Sequence, residues 1–184
     1  SPKALYDAIK GKTKNDKHQL SRVIATFDWD YEPGRRPKAK ELWNVEIGSF
    51  SLPWNMELKC DRKYKDNPWP EQPQTIDECG STFSIQGFDL SYAGVIIGPS
   101  VKYRNGKIEF HKECSKHKLA VQRRRISDGS MKDISEQLLC NELRVLLTRG
   151  VNGLYIYACD KELQDRLNEV VPHGSTRKIR EKNR

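Results

Sequence analysis

Long hydrophobic runs are missing from this 184-residue chain. Its apolar stretches are far shorter than the roughly eighteen residues that a membrane-spanning helix requires. The N-terminus also lacks the basic, apolar and small-residue pattern of a secretory signal. We therefore expect a protein with no membrane partner.

A disulfide framework is also absent from the sequence. The five cysteines are odd in number and scattered along the chain, and two of them, Cys140 and Cys159, lie within apolar patterns. Such spacing is typical of reduced thiols in a cytoplasmic protein. The full set is Cys60, Cys79, Cys114, Cys140 and Cys159.

What the chain does contain is charge, with 32% charged and 36% hydrophobic residues and a net charge of +8. The core must therefore be concentrated in a few elements, which the leucines and apolar strands indicate over 79–170. We expect a polar, irregular N-terminal segment over 1–20, with weak helical character over 4–9, and one domain over 21–172. A hairpin and basic insertion over 100–130 and a basic, disordered tail over 173–184 complete this division.

Strand and helix patterns alternate from residue 80 onward. The stretch 81–98 reads as strand, turn and strand, with a Gln86-Gly87 pivot before an apolar run that suits a buried strand. A helical stripe follows from Asp133, then Gly150 as its left-handed cap and a second buried strand over 153–159. This alternation predicts an α/β domain with a largely parallel sheet flanked by helices. The dipeptide Asn105-Gly106 predicts a small hairpin within 101–110.

Two stretches carry a family resemblance. Gln86-Gly87-Phe88-Asp89 leading into Gly94–Gly98, and Arg144–Gly150 before a strand, resemble motifs V and VI of superfamily 1 helicases. More narrowly, the chain resembles the schlafen group 3-like DNA/RNA helicase domain family over roughly residues 20–170. Pro53-Trp54-Asn55, Gly80 and Arg22 with Ala25 and Trp29 also fit. The resemblance implies the second RecA-like domain of a P-loop NTPase.

The chain departs from the family at three positions. Asp89 stands where Glu is usual, Ser91 where Asp is expected, and Leu143 where Tyr is usual. The phosphate-binding loop Gly-x-x-x-x-Gly-Lys-Ser/Thr is also absent from the 184 residues. The resemblance therefore implies ATP with Mg bound mainly by an N-terminal P-loop domain outside this chain, which would be its partner.

Arg149 is the candidate catalytic residue. An arginine delivered to the γ-phosphate from a second domain raises the rate of phosphoryl transfer by about 10³–10⁵. We expect Arg149 at the crevice where open α/β sheets bind ligands, at the carboxyl ends of the strands. Spacing alone favours a helix-end arginine held by the helix dipole or an ion pair; the resemblance favours the finger.

Five further residues are candidate nucleotide contacts. Gln86 and Gly87, expected in a strand-to-helix turn, offer a side-chain amide and open backbone N–H groups, or simply make a tight turn. Asp89 could hold a ribose hydroxyl or cap a helix. Arg144 is either a phosphate contact or an ion-pair residue, and Arg22 either a phosphate contact or an ordinary edge arginine.

The basic run Arg123-Arg124-Arg125 is the candidate contact to DNA or RNA phosphates, with a solvated surface run as the alternative. His111, Cys114 and His117 have even spacing, but they lack the paired cysteines of zinc sites, so we expect no metal. The leading hypothesis is the C-terminal half of an ATP-dependent DNA/RNA helicase or translocase. The alternative is a non-catalytic nucleic-acid-binding or protein-interaction module on a RecA-like fold.

Overall fold

The structure is a computed structural model that describes residues 1–15, 20–38, 40–125, 127 and 129–170. The basic tail expected over 173–184 lies outside these ranges. In chain order the helices and strands are α1 (Pro2–Asn15), β1 (Arg22–Ala25), β2 (Asn44–Ile47), β3 (Phe50–Pro53), β4 (Cys79–Gly80), β5 (Leu90–Ile97), β6 (Val101–Arg104), β7 (Lys107–Phe110), α2 (Lys118–Val121), β8 (Arg124–Arg125), β9 (Met131–Lys132), α3 (Ser135–Leu147), β10 (Gly150–Ala158) and α4 (Lys161–Val170).

A parallel sheet lies at the centre of the molecule, with its four strands in the order β10-β5-β1-β4. Val23 of β1 pairs with Cys79 on one side and with Gly94 on the other. Strand β5 pairs with β10 from Leu90 to Ile97, with a register shift between Gly150 and Gly153. Because β5 is an inner strand with both faces covered, its sequence is nearly all apolar. The predicted RecA-like α/β fold with a parallel sheet is confirmed.

The two faces of the sheet carry separate cores, since successive side chains of a strand point to opposite faces. Ile24 packs in the core that includes Leu143 of α3 and Leu163 of α4. Its neighbour Val23 packs in the other core, with Leu5 of α1. The hairpin β2–β3 adds Val45 and Leu52 to this second core.

The N-terminal segment, which was expected to be irregular, forms helix α1 against the sheet. Leu5 and Ile9 are buried, and both side chains lie over Gly94 of β5. Only these few apolar positions of α1 face the core, so its Lys-rich composition masks the amphipathic pattern. Because Gly94 has no side chain, α1 can pack close to the sheet at this position.

Residues 81–88 form a succession of turns and not the strand expected there. Ser84 N–H donates to the carbonyl of Ser81, and Phe88 N–H to that of Ile85. Strand β4 therefore ends at Gly80, and β5 begins only at Leu90. The side chain of Ile85 is fully buried and anchors these turns in the core.

Strand β10 is an edge strand of the described sheet and not a buried one, and Val151 is 64% exposed. Gly150 does not have the left-handed conformation expected for it, because α3 ends earlier, with Thr148 as its cap. Glycine is required there by close approach, since a Cβ would clash with the backbone carbonyl oxygen of Gly153 and lie 3.1 Å from the backbone nitrogen of Ala93.

The hairpin predicted from Asn105-Gly106 is confirmed. Strands β6 and β7 pair antiparallel, and both turn residues have positive φ, at 50° and 80°. This φ combination is the one that matches a two-residue turn to the twist of its strands. Among the described residues, no helix combines the length and the apolar character needed to cross a bilayer.

Candidate functional site

The sheet brings the two motif-like stretches together. Leu90 and Gly150 are partners in the parallel ladder of β5 and β10. The residues just before them, Asp89 and Arg149, therefore lie side by side, and the N–H of Leu90 donates to the carbonyl of Arg149 at 2.8 Å. Arg149 Nη1 also donates to the carbonyl of Phe88, the residue that follows the Gln86-Gly87 turn.

Arg149 is held at this rim by three contacts. Its Nε donates to the Val145 carbonyl at 3.1 Å, and its Nη1 donates to the Phe88 carbonyl at 3.3 Å. Nη1 also lies 3.5 Å from Oδ1 of Asp89. The Arg149 side chain is 25% exposed and that of Asp89 is 65% exposed. The guanidinium is thus partly covered but remains at the surface.

Gln86 and Gly87 lie beside this pair, and both are exposed. Gly87 has φ +81°, a conformation that favours glycine, so this residue type is set by the turn itself. A helix was expected after this turn, but the turn leads into strand β5. Asp89 therefore has no helix after it to cap.

This rim lies at the amino ends of β5 and β10. The crevice at the carboxyl ends, where the sequence analysis placed Arg149, is the opposite edge of the sheet. The reason is local: Arg149 follows α3 and precedes β10, so it must lie where β10 begins.

Arg22 is buried, with only 2% of its surface exposed. Its Nε donates to the Thr75 hydroxyl at 2.7 Å, Nη1 to the Ser21 carbonyl at 2.9 Å and Nη2 to the Gln72 carbonyl at 3.2 Å. The phosphate contact proposed for Arg22 from sequence is therefore wrong. The side chain ties the start of β1 to the 3₁₀ turn at Pro73–Asp77.

Arg144 is exposed on α3. Its carbonyl accepts hydrogen bonds from the N–H and the hydroxyl of Thr148, which close the helix end. In the part of the chain that the structure describes, no contact joins the side chains of Arg144 and Arg149.

The basic run forms part of a small hairpin, with Arg124 and Arg125 in β8. All three arginines are exposed, and each guanidinium donates to a nearby carbonyl: Arg123 to Met131, Arg124 to Leu119 and Arg125 to Gly129. The three positive charges therefore remain exposed to solvent.

The evenly spaced His111, Cys114 and His117 do not converge. His111 pairs with Glu113 at 2.9 Å, whereas the ring of His117 packs against Phe27 and Phe83. Within the described ranges, no group of three His, Cys, Asp or Glu side chains has an arrangement that could hold a metal ion.

A buried acidic cluster that was not predicted from the sequence lies at the carboxyl edge of the sheet. Asp28 Oδ2 accepts from Ser100 N–H at 2.8 Å and from the Thr26 hydroxyl at 3.1 Å. Glu142 of α3 accepts from Phe27 N–H at 2.8 Å. The one available signal was a charged residue, Glu142, within the apolar stripe of α3.

Burial governs the ionisation of this cluster. It raises the pKa of Asp28, against the opposing effect of the hydrogen bonds from Ser100 and Thr26. Burial raises the pKa of Glu142 to about 7, and the charge of Asp28 adds to this increase. The same two causes raise the pKa of the Cys159 thiol to about 12. Asp28 and Glu142 thus hold the loop after β1 to Ser100 and to α3.

A parallel sheet flanked by helices, with Arg149 and Asp89 just before the adjacent strands β10 and β5, places the chain among α/β proteins with a RecA-like fold. The comparison with family models agrees: the model for the Schlafen group 3 DNA/RNA helicase domain matches residues 1–160. The chain belongs to this family.

One relative is the uncharacterized protein YPL245W of Saccharomyces cerevisiae (strain ATCC 204508 / S288c). It is 38% identical over 168 residues, which cover 89% of this chain and 34% of the yeast protein. The chain thus spans about a third of the length of this relative. No solved structure matches the chain.

Proposed function

We propose that this chain is the C-terminal half of an ATP-dependent DNA/RNA helicase or translocase. In this proposal Arg149 is the arginine finger, and ATP with Mg is bound mainly by an N-terminal P-loop domain of the same protein. The observation that supports it is the meeting of Arg149 and Asp89 with the Gln86-Gly87 turn on one exposed rim. A reducing, cytoplasmic setting fits the five free cysteines.

The contacts of Arg149 suit a residue that waits for a ligand. An exposed ion pair contributes only about 0–1 kcal/mol, so the Asp89 carboxylate is a weak competitor for the guanidinium. A triphosphate carries more negative charge and several acceptor oxygens. Asp89 would therefore keep Arg149 at the rim when the two lobes are apart, and the γ-phosphate would take its place when they close.

The neighbouring groups have supporting roles in this proposal. The exposed amide of Gln86 and the open backbone at Gly87 would contact the nucleotide, and Asp89 would contact ribose or phosphate-bound water. Arg144, exposed one turn before the end of α3, would add a second phosphate contact.

The test is Arg149→Ala in the full-length protein. ATP turnover, measured as phosphate release, should fall by about 10³–10⁵, because the developing charge on the transferred phosphoryl group loses its counter-charge. ATP affinity and the unfolding transition should change little. Turnover within a few-fold of wild type would show that Arg149 is not the finger.

Arg166→Ala is the matched control. Arg166 is a surface arginine of α4 that pairs with Glu169 at 2.8 Å. Its removal deletes the same charge from the same lobe, away from the rim, and should leave turnover unchanged.

The second candidate is a non-catalytic nucleic-acid-binding or protein-interaction module on the same fold. The observation that favours it is that Arg149 already has internal partners at the rim. The sequence upstream in the gene distinguishes the two: a phosphate-binding loop there supports the ATPase, and its absence supports the module.

A further inference from the structure

An open cleft of about 230 Å³ lies between the turns after β4, helix α2 and helix α3. Thr82, His117, Arg124, Asn141 and Val145 are among the residues that line it. The apolar side chain of Val145, one of the lining residues, is 38% exposed. The cleft shares Val145 with the Arg149 rim, since the carbonyl of Val145 accepts from Arg149 Nε, but the cleft has no role in the chemistry proposed above.

Phe83, next to the cleft-lining Thr82, is an aromatic ring held in place but left open to solvent. It is 57% exposed. Its ring meets Phe27 at 5.9 Å and 88° and His117 at 5.2 Å and 78°, so two other rings fix its orientation edge to face. An exposed, oriented ring is the platform on which unpaired bases stack.

His117 supports Phe83 as a neutral ring and not as a cation. Burial and the neighbouring Arg124 lower the pKa of His117, so the imidazole is uncharged at neutral pH. Its Nδ1 has no hydrogen-bond partner within the described part of the chain.

The charge around the cleft selects an anionic partner. Arg124 lines the cleft, and the exposed Arg123 and Arg125 flank it in sequence. The acidic Glu142 is buried, and its pKa of about 7 leaves much of it neutral. Thr82 and Asn141 add a hydroxyl and an amide that can donate or accept hydrogen bonds.

We propose that this cleft binds single-stranded nucleic acid, with one unpaired base stacked on Phe83 and the adjoining phosphates on Arg123, Arg124 and Arg125. An aromatic platform beside exposed arginines is the combination that holds a strand without reading its sequence. A protein surface would gain less from this concentration of positive charge. The inference rests on the proposed function and names the surface that its polynucleotide occupies.

The test is fluorescence anisotropy of a labelled twelve-nucleotide oligothymidylate with the full chain, in the absence of ATP. Phe83→Ala should weaken binding by about ten- to a hundredfold, the loss expected for one stacked base. Phe83→Trp keeps an aromatic platform and should bind within a few-fold of wild type. Arg124→Gln should weaken binding and reduce the slope of log affinity against log salt by about one.

Ile108→Ala is the control, since Ile108 is an equally exposed hydrophobic residue, at 50%, on the separate hairpin strand β7. The Ile108→Ala variant should bind the oligonucleotide with the affinity of the wild-type protein. The assignment is overturned if Phe83→Ala binds the oligonucleotide with wild-type affinity. This holds also if the variant has lost binding to a protein partner, because the surface would then be a protein interface. Because the binding measurement needs no ATP, its outcome is independent of the prediction for Arg149. Either of the two predictions can be wrong while the other is right.

Discussion

The ionised form of Glu142 destabilises the folded protein, because its carboxylate is buried. It is 7% exposed in α3, and its partner is the N–H of Phe27, 115 residues away in sequence. Burial, with a contribution from Asp28, raises its pKa from 4.5 to about 7. In the folded protein the carboxyl group therefore holds its proton over a range in which the unfolded chain has already lost it.

The free energy of unfolding should therefore fall as pH rises from 4.5 to about 7. The stabilising contribution is fully present below the unfolded pKa and is lost as pH approaches the folded pKa. Its upper limit is about 3 kcal/mol. Urea unfolding at a series of pH values measures this effect, and Glu142→Gln, which keeps an acceptor for Phe27 N–H, should flatten the curve.

Glu136→Gln is the control for this experiment, because Glu136 lies on the same helix but is exposed. It should leave the pH dependence as in wild type. Equal slopes for Glu142→Gln and wild type would show that Glu142 is not the group responsible. Asp28, whose pKa is also raised by burial, adds a slope of the same sign that both variants retain.

At the scale of elements, the contact between α1 and β5 depends on Gly94. A Cβ at this position would lie 2.6 Å from Cγ1 of Ile9 and 2.8 Å from Cδ2 of Leu5. Gly94→Ala should therefore push α1 away from the sheet and lower the free energy of unfolding by about 1–3 kcal/mol. Thermal or urea unfolding measures the change.

The matched variant is Gly11→Ala, in the same helix. A Cβ at position 11 meets no atom within 4 Å. Alanine in a helix interior is favoured over glycine by about 0.5–1 kcal/mol, so this variant should be more stable than wild type. The two variants make the same Gly→Ala change, and the expected changes in the free energy of unfolding have opposite signs, so together they test the packing of α1. Wild-type stability for Gly94→Ala would contradict this packing.

At the scale of the whole molecule, catalysis is expected to need more than this chain. The sequence has no phosphate-binding loop, and the chain covers 34% of its yeast relative. We expect no ATP turnover above background from these 184 residues, and turnover from the full-length protein, both measured as phosphate release. Turnover by this chain at a rate similar to that of the full-length protein would contradict a division of the site between two lobes.

Local patterns predicted much of the fold. Asn105 and Gly106 specify a hairpin by their own backbone preferences, so their neighbours could be assigned without tertiary information. Helix α1 was predicted only as weak helical character over 4–9, because its buried positions are few among many lysines. The edge position of β10 was missed because strand order is set by packing between distant segments, which a local apolar run does not encode.

The candidate site divides in the same way. The family resemblance associated Arg149 with the Gln86-Gly87 turn, and in the structure Arg149 contacts Phe88 and Asp89, the two residues that follow this turn. The sequence also offered Arg22 as a phosphate contact, which burial excludes. An exposed and a buried arginine look alike in a sequence, and only the surrounding side chains and carbonyls distinguish them.

The sequence by itself determined the alternation of strands and helices and the family, because periodicity and motif spacing are properties of the chain read in order. Only the tertiary structure decided which edge of the sheet carries Arg149, that Arg22 is internal, and that Glu142 and Phe83 both contact Phe27 in the loop after β1. These features depend on strand order and on contacts between residues far apart in sequence, where burial and electrostatics are set by what the fold brings together.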